Sequence, residues 1–286
     1  MKKVVGIFAC AILLLASCSN SPKEKSHLSA TTDDGDWFFL KQDDLATGAH
    51  HTRHAEIFGK YIDGYNQNVL RGIDIVQSSA MDGGGYFIGI KADPPESPVG
   101  YPLRLFGQPL LEPPRTSSYC SGATYSAFIE QLNLLFEDKL AGLSPERLEA
   151  LRMQEPDGGR REDEVKFWGK WNDDGFGNHF ALVQYSQMGT EIKPQQARPG
   201  DFMNISWQNG GGHSVIFLGW YVDQAGGKNV VYWSSQTRTN GFGDEVVPLD
   251  RIKSVKIVRL TDPEALYRFD VSTTVDDAIP GDGIEL

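Results

Sequence analysis

Three apolar runs separated by short turns constrain the fold of this chain more than any other feature. The runs span residues 203–207, 214–220 and 230–236, and each has the length and the β-branched and aromatic content of a strand. Glycine-containing turns at 208–212 and 223–229 separate them. Because connections this short join antiparallel neighbours, the pattern predicts three adjacent strands in a meander.

A helix is predicted upstream of this meander, beginning near Cys120. Two prolines at 113–114 prevent an earlier start, Ser117 or Ser118 can cap the helix, and apolar residues recur at helical spacing at Phe128, Leu132 and Leu135. Unpaired backbone N–H groups and the positive end of the helix dipole stabilise a thiolate at such a position. We therefore expect the pKa of Cys120 to be lowered.

The other two cysteines lie near the beginning of the chain. A basic start, an apolar segment over 4–15 and the sequence Leu15-Ala16-Ser17-Cys18 resemble a bacterial lipoprotein signal. The resemblance implies cleavage before Cys18 and lipidation of its thiol; an ordinary secretory signal is the alternative. Cys10 leaves with the signal, so Cys120 is the single free thiol of the mature chain, either a buried small hydrophobe or a reactive group.

Composition limits the partners and the location of the mature chain. A formal net charge of −11 argues against nucleic acid as a partner. In the lipoprotein signals that the start of the chain resembles, an Asp after the lipidated cysteine indicates retention in the inner membrane. Ser19 occupies that position, so the resemblance implies the outer membrane, facing the periplasm. Residues 18–36 are polar and predict a disordered tether.

Several short motifs together resemble the NlpC/P60 family of cell-wall peptidases and the related CHAP amidases. They are Tyr119-Cys120-Ser121-Gly122, Pro199-Gly200-Asp201-Phe202 and the run Gly212-His213-Ser214-Val215. The similarity covers about 115–260 and departs from the family at Tyr119, where Asp is usual. It implies an α+β papain-like domain, in which a nucleophile helix packs on an antiparallel sheet that carries the histidine.

The resemblance assigns a role to each member of a cysteine-based site. Cys120 is the predicted nucleophile and His213 the general base that later protonates the leaving amine. The family implies a polar third residue on the following strand, for which we take Gln236, with Ser234 as the alternative. Tyr119, Ser121, Ser234 and Gln108 are further candidates for contacts with substrate or oxyanion.

The remaining histidines are weaker candidates for chemistry. His179 is expected to pack within a helix. His50 and His54 have the i, i+4 spacing of a metal-binding helix, but position 51 is His rather than the Glu of a zincin. Nothing nearby in the sequence completes a set of ligands, so we expect no metal and no cofactor.

These observations predict the following organisation: a signal peptide over 1–17, the tether over 18–36, an N-terminal extension over 37–114, the catalytic domain over 115–262 with a helical insert, and an acidic, mobile tail over 263–286. The predicted function is cleavage of an amide bond in peptidoglycan peptide stems by a monomer with a lipid anchor in the membrane. Two alternatives stay open: a non-catalytic lipoprotein that binds cell-wall peptide, and a thiol acyl hydrolase or transferase with another substrate.

Overall fold

A computed structural model describes residues 37–45, 48–86, 97–111, 118–137, 142–152, 167–168, 177–275 and 279–286. These residues form one compact unit. The predicted signal peptide, the predicted lipidation site at Cys18 and the predicted tether lie outside the described residues. No helix in the described part of the chain is both long enough and apolar enough to cross a membrane.

An antiparallel sheet of six strands forms the centre of the fold. Its strands are β3 (Gly189–Ile192), β4 (Phe202–Trp207), β5 (Gly212–Val222), β6 (Lys228–Gln236), β7 (Gly241–Pro248) and β8 (Ile252–Leu260). The order across the sheet is β3-β8-β4-β5-β6-β7. The predicted meander is therefore confirmed as β4, β5 and β6, and the chain is an α+β protein, as expected.

Helices and a small hairpin surround this sheet. In chain order they are α1 (His54–Phe58), α2 (Asn66–Ser78), the hairpin strands β1 (Leu103–Leu105) and β2 (Gln108–Leu111), α3 (Cys120–Leu135), α4 (Pro145–Ala150) and α5 (Gly177–His179), which continues as a π-helix over Phe180–Tyr185. Helix α3 packs against β5 and β6 on one side and α2 on the other. Helix α4, in the predicted insert, is capped by Ser144, whose hydroxyl accepts from the Arg147 N–H at 3.3 Å.

Helix α3 begins at Cys120, but its cap differs from the predicted one. The N-cap residue is Tyr119, in an extended conformation and without a capping side-chain hydrogen bond. Ser118 instead bonds the Gly85 carbonyl at 3.0 Å and the Ser235 hydroxyl at 2.5 Å. The serine thus joins the helix start to β6, which positions the helix relative to the sheet.

Alternating side chains of the strands fill two apolar clusters, one on each face of the sheet. The cluster on the helix side includes Ile216, Leu218 and Trp233, together with residues of α2 and α3. The cluster on the opposite face includes Val215, Phe217 and Tyr232. This alternation places His213 on the second face, in line with Val215 and Phe217.

The chain after β8 packs on the domain, contrary to the expectation of a mobile tail. Leu266 and Phe269 are buried in the helix-side cluster. Further on, Asp282 forms a bridge with Val255 and an ion pair with Lys256 at 3.2 Å, in which the lysine is almost fully buried. The acidic residue that suggested a solvated tail in fact neutralises a buried cation, so the tail is part of the sheet's second face.

Candidate functional site

A gap between β5 and β6 forms the centre of the candidate site. The two strands pair from Ile216 opposite Trp233 to Val222 opposite Lys228, whereas the first residues of β5 pair with β4. Over the same stretch the end of β6 pairs with β7. The first residue of α3 reaches the sheet at this gap.

Cys120 is half-buried at the start of α3, with its thiol against β5. Burial raises the pKa of this thiol, and the backbone N–H groups of Ser214, Ser121 and Cys120 itself lower it by less. The net shift is upward. The expected lowering of the Cys120 pKa is therefore not what the structure gives, because the loss of water around the sulfur outweighs the helix-start N–H groups.

His213 directly precedes Ser214, the residue of β5 whose N–H faces the thiol. The ring is 6 % exposed and packs between the Trp207 ring, at 5.9 Å, and the Tyr232 ring, at 5.5 Å. Burial lowers the pKa of His213 to about 4, against a smaller raising effect of Gln236. The imidazole is therefore neutral at physiological pH and able to accept a proton.

Gln236, at the end of β6, is held so that its carbonyl oxygen is available to the ring. Its Nε2 donates to the Thr239 hydroxyl at 2.6 Å and to the Gly243 carbonyl at 3.0 Å. Among the described residues, buried Oε1 of Gln236 and buried Nε2 of His213 have no hydrogen-bond partner of standard geometry. Oε1 is an acceptor, and the pKa of His213 responds to a hydrogen bond with the Gln236 side chain, so the two side chains are neighbours.

The alternative third residue, Ser234, is committed elsewhere. Its hydroxyl donates to the Ser214 carbonyl at 2.6 Å, and the side chain is fully buried. Ser234 therefore bridges β5 and β6 just where their regular pairing has ended. Of the two candidates, Gln236 is the one beside the histidine ring.

A cavity of about 380 Å³ opens in front of His213 and Gln236. Aromatic side chains and both signs of charge line it, including Tyr86, Trp207, Tyr232, Glu245 and Arg251. Burial raises the pKa of Tyr86 and of Tyr232, and the neighbouring Glu245 raises that of Tyr232 further, with Cys120 a smaller cause for each, so both phenols stay protonated. The Tyr232 hydroxyl donates to Glu245 at 3.3 Å. The cavity therefore contains the Tyr86 side chain, whose backbone bridge to Ser118 places it beside the start of α3.

Three of the accessory candidates do not contact this cavity as predicted. Tyr119 is 4 % exposed and its ring packs in the helix-side core. Ser121 is also buried, and only its backbone N–H faces the thiol. Gln108 is exposed on β2 and lines a different cavity, beside α4, so the prediction that it supplies an oxyanion donor is wrong.

The other predicted histidines lie away from the thiol. His179 ends α5 and pairs with Glu191 on β3 through Nε2, at 2.9 Å. His50 Nε2 contacts the Thr239 carbonyl at 2.9 Å. His51 and His54 meet at Asp244 of β7, on the face of that strand opposite Glu245, which lines the cavity.

Sequence reasoning missed three groups near the thiol: the Ser214 N–H, Tyr86 and Tyr232. Strand alternation places Tyr232 on the same face of β6 as Gln236, and could have found it. Tyr86 follows three glycines, but only the bridge between Tyr86 and Ser118 brings it to the helix start. A contact between residues so far apart in the chain has no signal in a single sequence.

No known protein family matches the chain, and no curated protein or solved structure matches it either.

Proposed function

We propose that this protein is a papain-like cysteine amidase of the NlpC/P60 type that hydrolyses an amide bond in peptidoglycan peptide stems. One observation carries the proposal: Cys120, at a helix N-terminus, faces the Ser214 N–H, while the preceding residue is His213, with Gln236 beside its ring. This is the nucleophile, base and orienter that thiol acyl transfer requires.

The protonation states of the two groups select the order of proton transfer. The thiol and the imidazole are both neutral at rest, because burial disfavours each charged form. His213 therefore accepts the thiol proton as the sulfur attacks the substrate carbonyl, and no thiolate–imidazolium pair exists beforehand. The developing oxyanion is held by the backbone N–H groups of the helix start, with the Tyr86 hydroxyl as a further donor.

The proton that His213 took from the thiol is used again when the tetrahedral intermediate breaks down. The C–N bond breaks, His213 gives its proton to the leaving amine, and a thioester on Cys120 remains. Water then adds to the thioester while His213 takes one of its protons. The C–S bond breaks as His213 returns that proton to the sulfur, which releases a carboxylic acid and restores the thiol. Gln236 holds the ring through Oε1, which leaves the other ring nitrogen for the sulfur.

The choice of substrate rests on the motifs and on the cavity. The motifs around Cys120, Asp201 and His213 resemble cell-wall peptidases, and the signal resembles that of an envelope lipoprotein. Glu245 and Arg251 both line the cavity. A stem peptide carries both amines and carboxylates, so a cavity lined by one acidic and one basic side chain can bind both kinds of group.

Digestion of purified peptidoglycan by the protein, followed by mass spectrometry of the soluble fragments, tests this function. We expect new peptide fragments that end in a free amine and a free carboxylate at one bond, and none with Cys120→Ala. Absence of release by wild type, with a positive control enzyme active on the same preparation, contradicts amidase activity on this polymer.

The raised pKa of the thiol also favours a second candidate, a non-catalytic lipoprotein that binds cell-wall peptide in the same cavity. A buried neutral thiol is unreactive, and packing alone explains it. Under this alternative wild type and Cys120→Ala bind peptidoglycan equally and neither releases a fragment. Hydrolysis of a thioester or ester probe without peptidoglycan release points instead to another acyl substrate.

A further inference from the structure

A second cluster of polar side chains lies on the face of β7 opposite the cavity. His51, three residues before α1, and His54, the first residue of α1, both point their Nε2 atoms at the carboxylate of Asp244. The distances are 2.9 Å from His51 Nε2 to Oδ2 and 2.9 Å from His54 Nε2 to Oδ1. The two rings stack with centroids 4.2 Å apart. The proposed amidase mechanism uses none of these groups.

We propose that His51, His54 and Asp244 bind one divalent transition-metal ion, of which Zn²⁺ fits the donor set best. One ligand atom from each residue lies within 4.8 Å of the other two. Two imidazole nitrogens and a carboxylate oxygen are the donors that zinc takes in three-ligand protein sites. Among the described residues, this group alone combines three such ligands.

The surroundings of His54 resemble the support that a metal-binding histidine needs. Its Nδ1 is 2.7 Å from Asp74 Oδ1, and the same carboxylate accepts from the backbone N–H groups of His54 and Ala55. A carboxylate on the second ring nitrogen orients the ring and makes the other nitrogen a better ligand. The His54 side chain is fully buried, so its orientation is determined by these bonds.

The ion requires only a local expansion of the cluster. Tetrahedral ligands at zinc distances of roughly 2.1 Å lie roughly 3.4 Å from one another. The 2.9 Å contact between His54 Nε2 and Asp244 Oδ1 therefore opens by about half an ångström, and His51 Nε2 leaves Oδ2 for the same ion. Asp244 lines a small cavity of about 170 Å³ that offers room for a water as the fourth ligand.

His51 needs one further change on binding. Its Nδ1 accepts from the Arg53 N–H at 3.2 Å, and a ring that binds metal through Nε2 carries its proton on Nδ1. That already long contact therefore breaks, which makes His51 the weaker of the two histidine ligands.

The site connects two regions that are far apart in the chain. Asp244 lies in β7, and its N–H donates to the Ala49 carbonyl at 2.9 Å. The ion thus clamps residues 49–54 and the Asp74 side chain of α2 onto the edge strand of the sheet. The effect is structural, and it does not depend on whether Cys120 is catalytic.

Zinc titration by calorimetry tests the site, with the whole chain carrying Cys120→Ala so that the thiol cannot bind the metal. After treatment with a chelator, we expect one Zn²⁺ per chain and a higher Tm. His51→Ala should weaken binding at least about 100-fold, and Asp74→Asn, which touches no metal, about 10- to 100-fold. His50→Ala is the matched control, since this neighbouring histidine bonds a backbone carbonyl, and it should bind as the parent does.

Cobalt substitution keeps the proposal testable even where a ligand variant does not fold. The visible spectrum of the Co²⁺-loaded protein should show the bands of a four-coordinate site with nitrogen and oxygen donors. Absence of stoichiometric zinc and cobalt binding by the Cys120→Ala chain overturns the proposal. So does a folded His51→Ala chain that binds zinc as tightly as its parent.

Discussion

At the scale of single residues, His213 and Gln236 should differ in what they contribute to turnover. His213→Ala removes both the proton acceptor and the later donor, so activity on peptidoglycan fragments should fall by about 10²- to 10⁴-fold or more. Gln236→Ala removes only the group that orients the ring, and should cost about 10- to 100-fold, or about 1.4 to 2.7 kcal/mol of barrier. Val222→Ala, at the exposed far end of β5, is the control and should be silent.

The pH profile separates orientation by Gln236 from a purely structural role. Gln236→Glu places a negative charge beside the ring, which stabilises the imidazolium and raises its pKa. The acid limb of kcat/KM should therefore move to higher pH in this variant, and the Gln236→Ala profile should not shift in that direction. A Gln236→Glu enzyme with the wild-type acid limb contradicts the placement of Gln236 against the ring.

Burial of His213 also predicts how stability changes with pH. Its folded pKa is about 4, below the ordinary value of 6.5, so between these values the unfolded chain binds more protons. Unfolding free energy therefore falls as the pH drops through this window, by about 2 to 3 kcal/mol between pH 7 and pH 4.5. Denaturant unfolding at both pH values should show a smaller fall in His213→Gln, which cannot titrate. An identical fall in both proteins shows that the ring is not buried in its neutral form.

The residues of the candidate site were partly predictable from the sequence. A lone cysteine at a helix start and a histidine at a strand start are local patterns, and the structure brings both to one gap in the sheet. The direction of the Cys120 pKa shift was not predictable, because it depends on how much water the folded chain removes from the sulfur. Asp244 was missed for a related reason: it lies about 190 residues from His54 in the chain.

At the scale of secondary structure, Asp201 connects three elements. This residue of the Pro199-Gly200-Asp201 turn is fully buried, and its carboxylate takes two bonds from Arg259 of β8, at 2.8 and 2.7 Å, and one from Asn66 of α2 at 2.8 Å. The motif that suggested a family thus has a structural role here: it joins β4, β8 and α2.

Removal of this carboxylate should therefore destabilise the fold strongly. Asp201→Ala leaves Arg259 without its buried partner, and breaking such a pair costs about 3 to 5 kcal/mol of unfolding free energy. Urea unfolding measures the change, with Asp250→Ala, an exposed residue, as the control. A loss below about 1 kcal/mol for Asp201→Ala would show that the ion pair does not hold these elements together.

The strands of the meander were predictable because each has an apolar pattern and a short turn at its ends. The position of β8 was not. It lies between β3 and β4, although residues 208–251 separate it from β4 in the chain. Such a placement depends on which strand edges are free once the meander has formed, and a single sequence does not show this.

At the scale of the whole molecule, the segment before the first helix packs on the sheet. Leu40 donates its N–H to the Trp220 carbonyl at 2.8 Å, and its side chain is 6 % exposed against Gly219, where a Cβ would approach within 2.4 Å. The glycine thus makes room for the leucine. The next side chain back, Phe39, is 44 % exposed although its backbone bridges to Trp220 as well.

Buried Leu40 and exposed Phe39 therefore provide a matched pair of variants that tests whether this segment unfolds together with the sheet. Leu40→Ala deletes a buried side chain and should lower the unfolding free energy by about 2 to 4 kcal/mol, whereas Phe39→Ala should cost less than about 1 kcal/mol. Urea transitions followed by tryptophan fluorescence and by far-UV circular dichroism should coincide in wild type and shift together in Leu40→Ala, as one cooperative unit requires. If the two probes separate in Leu40→Ala, or if both variants lose the same stability, residues 37–45 are an appendage rather than part of the sheet's core.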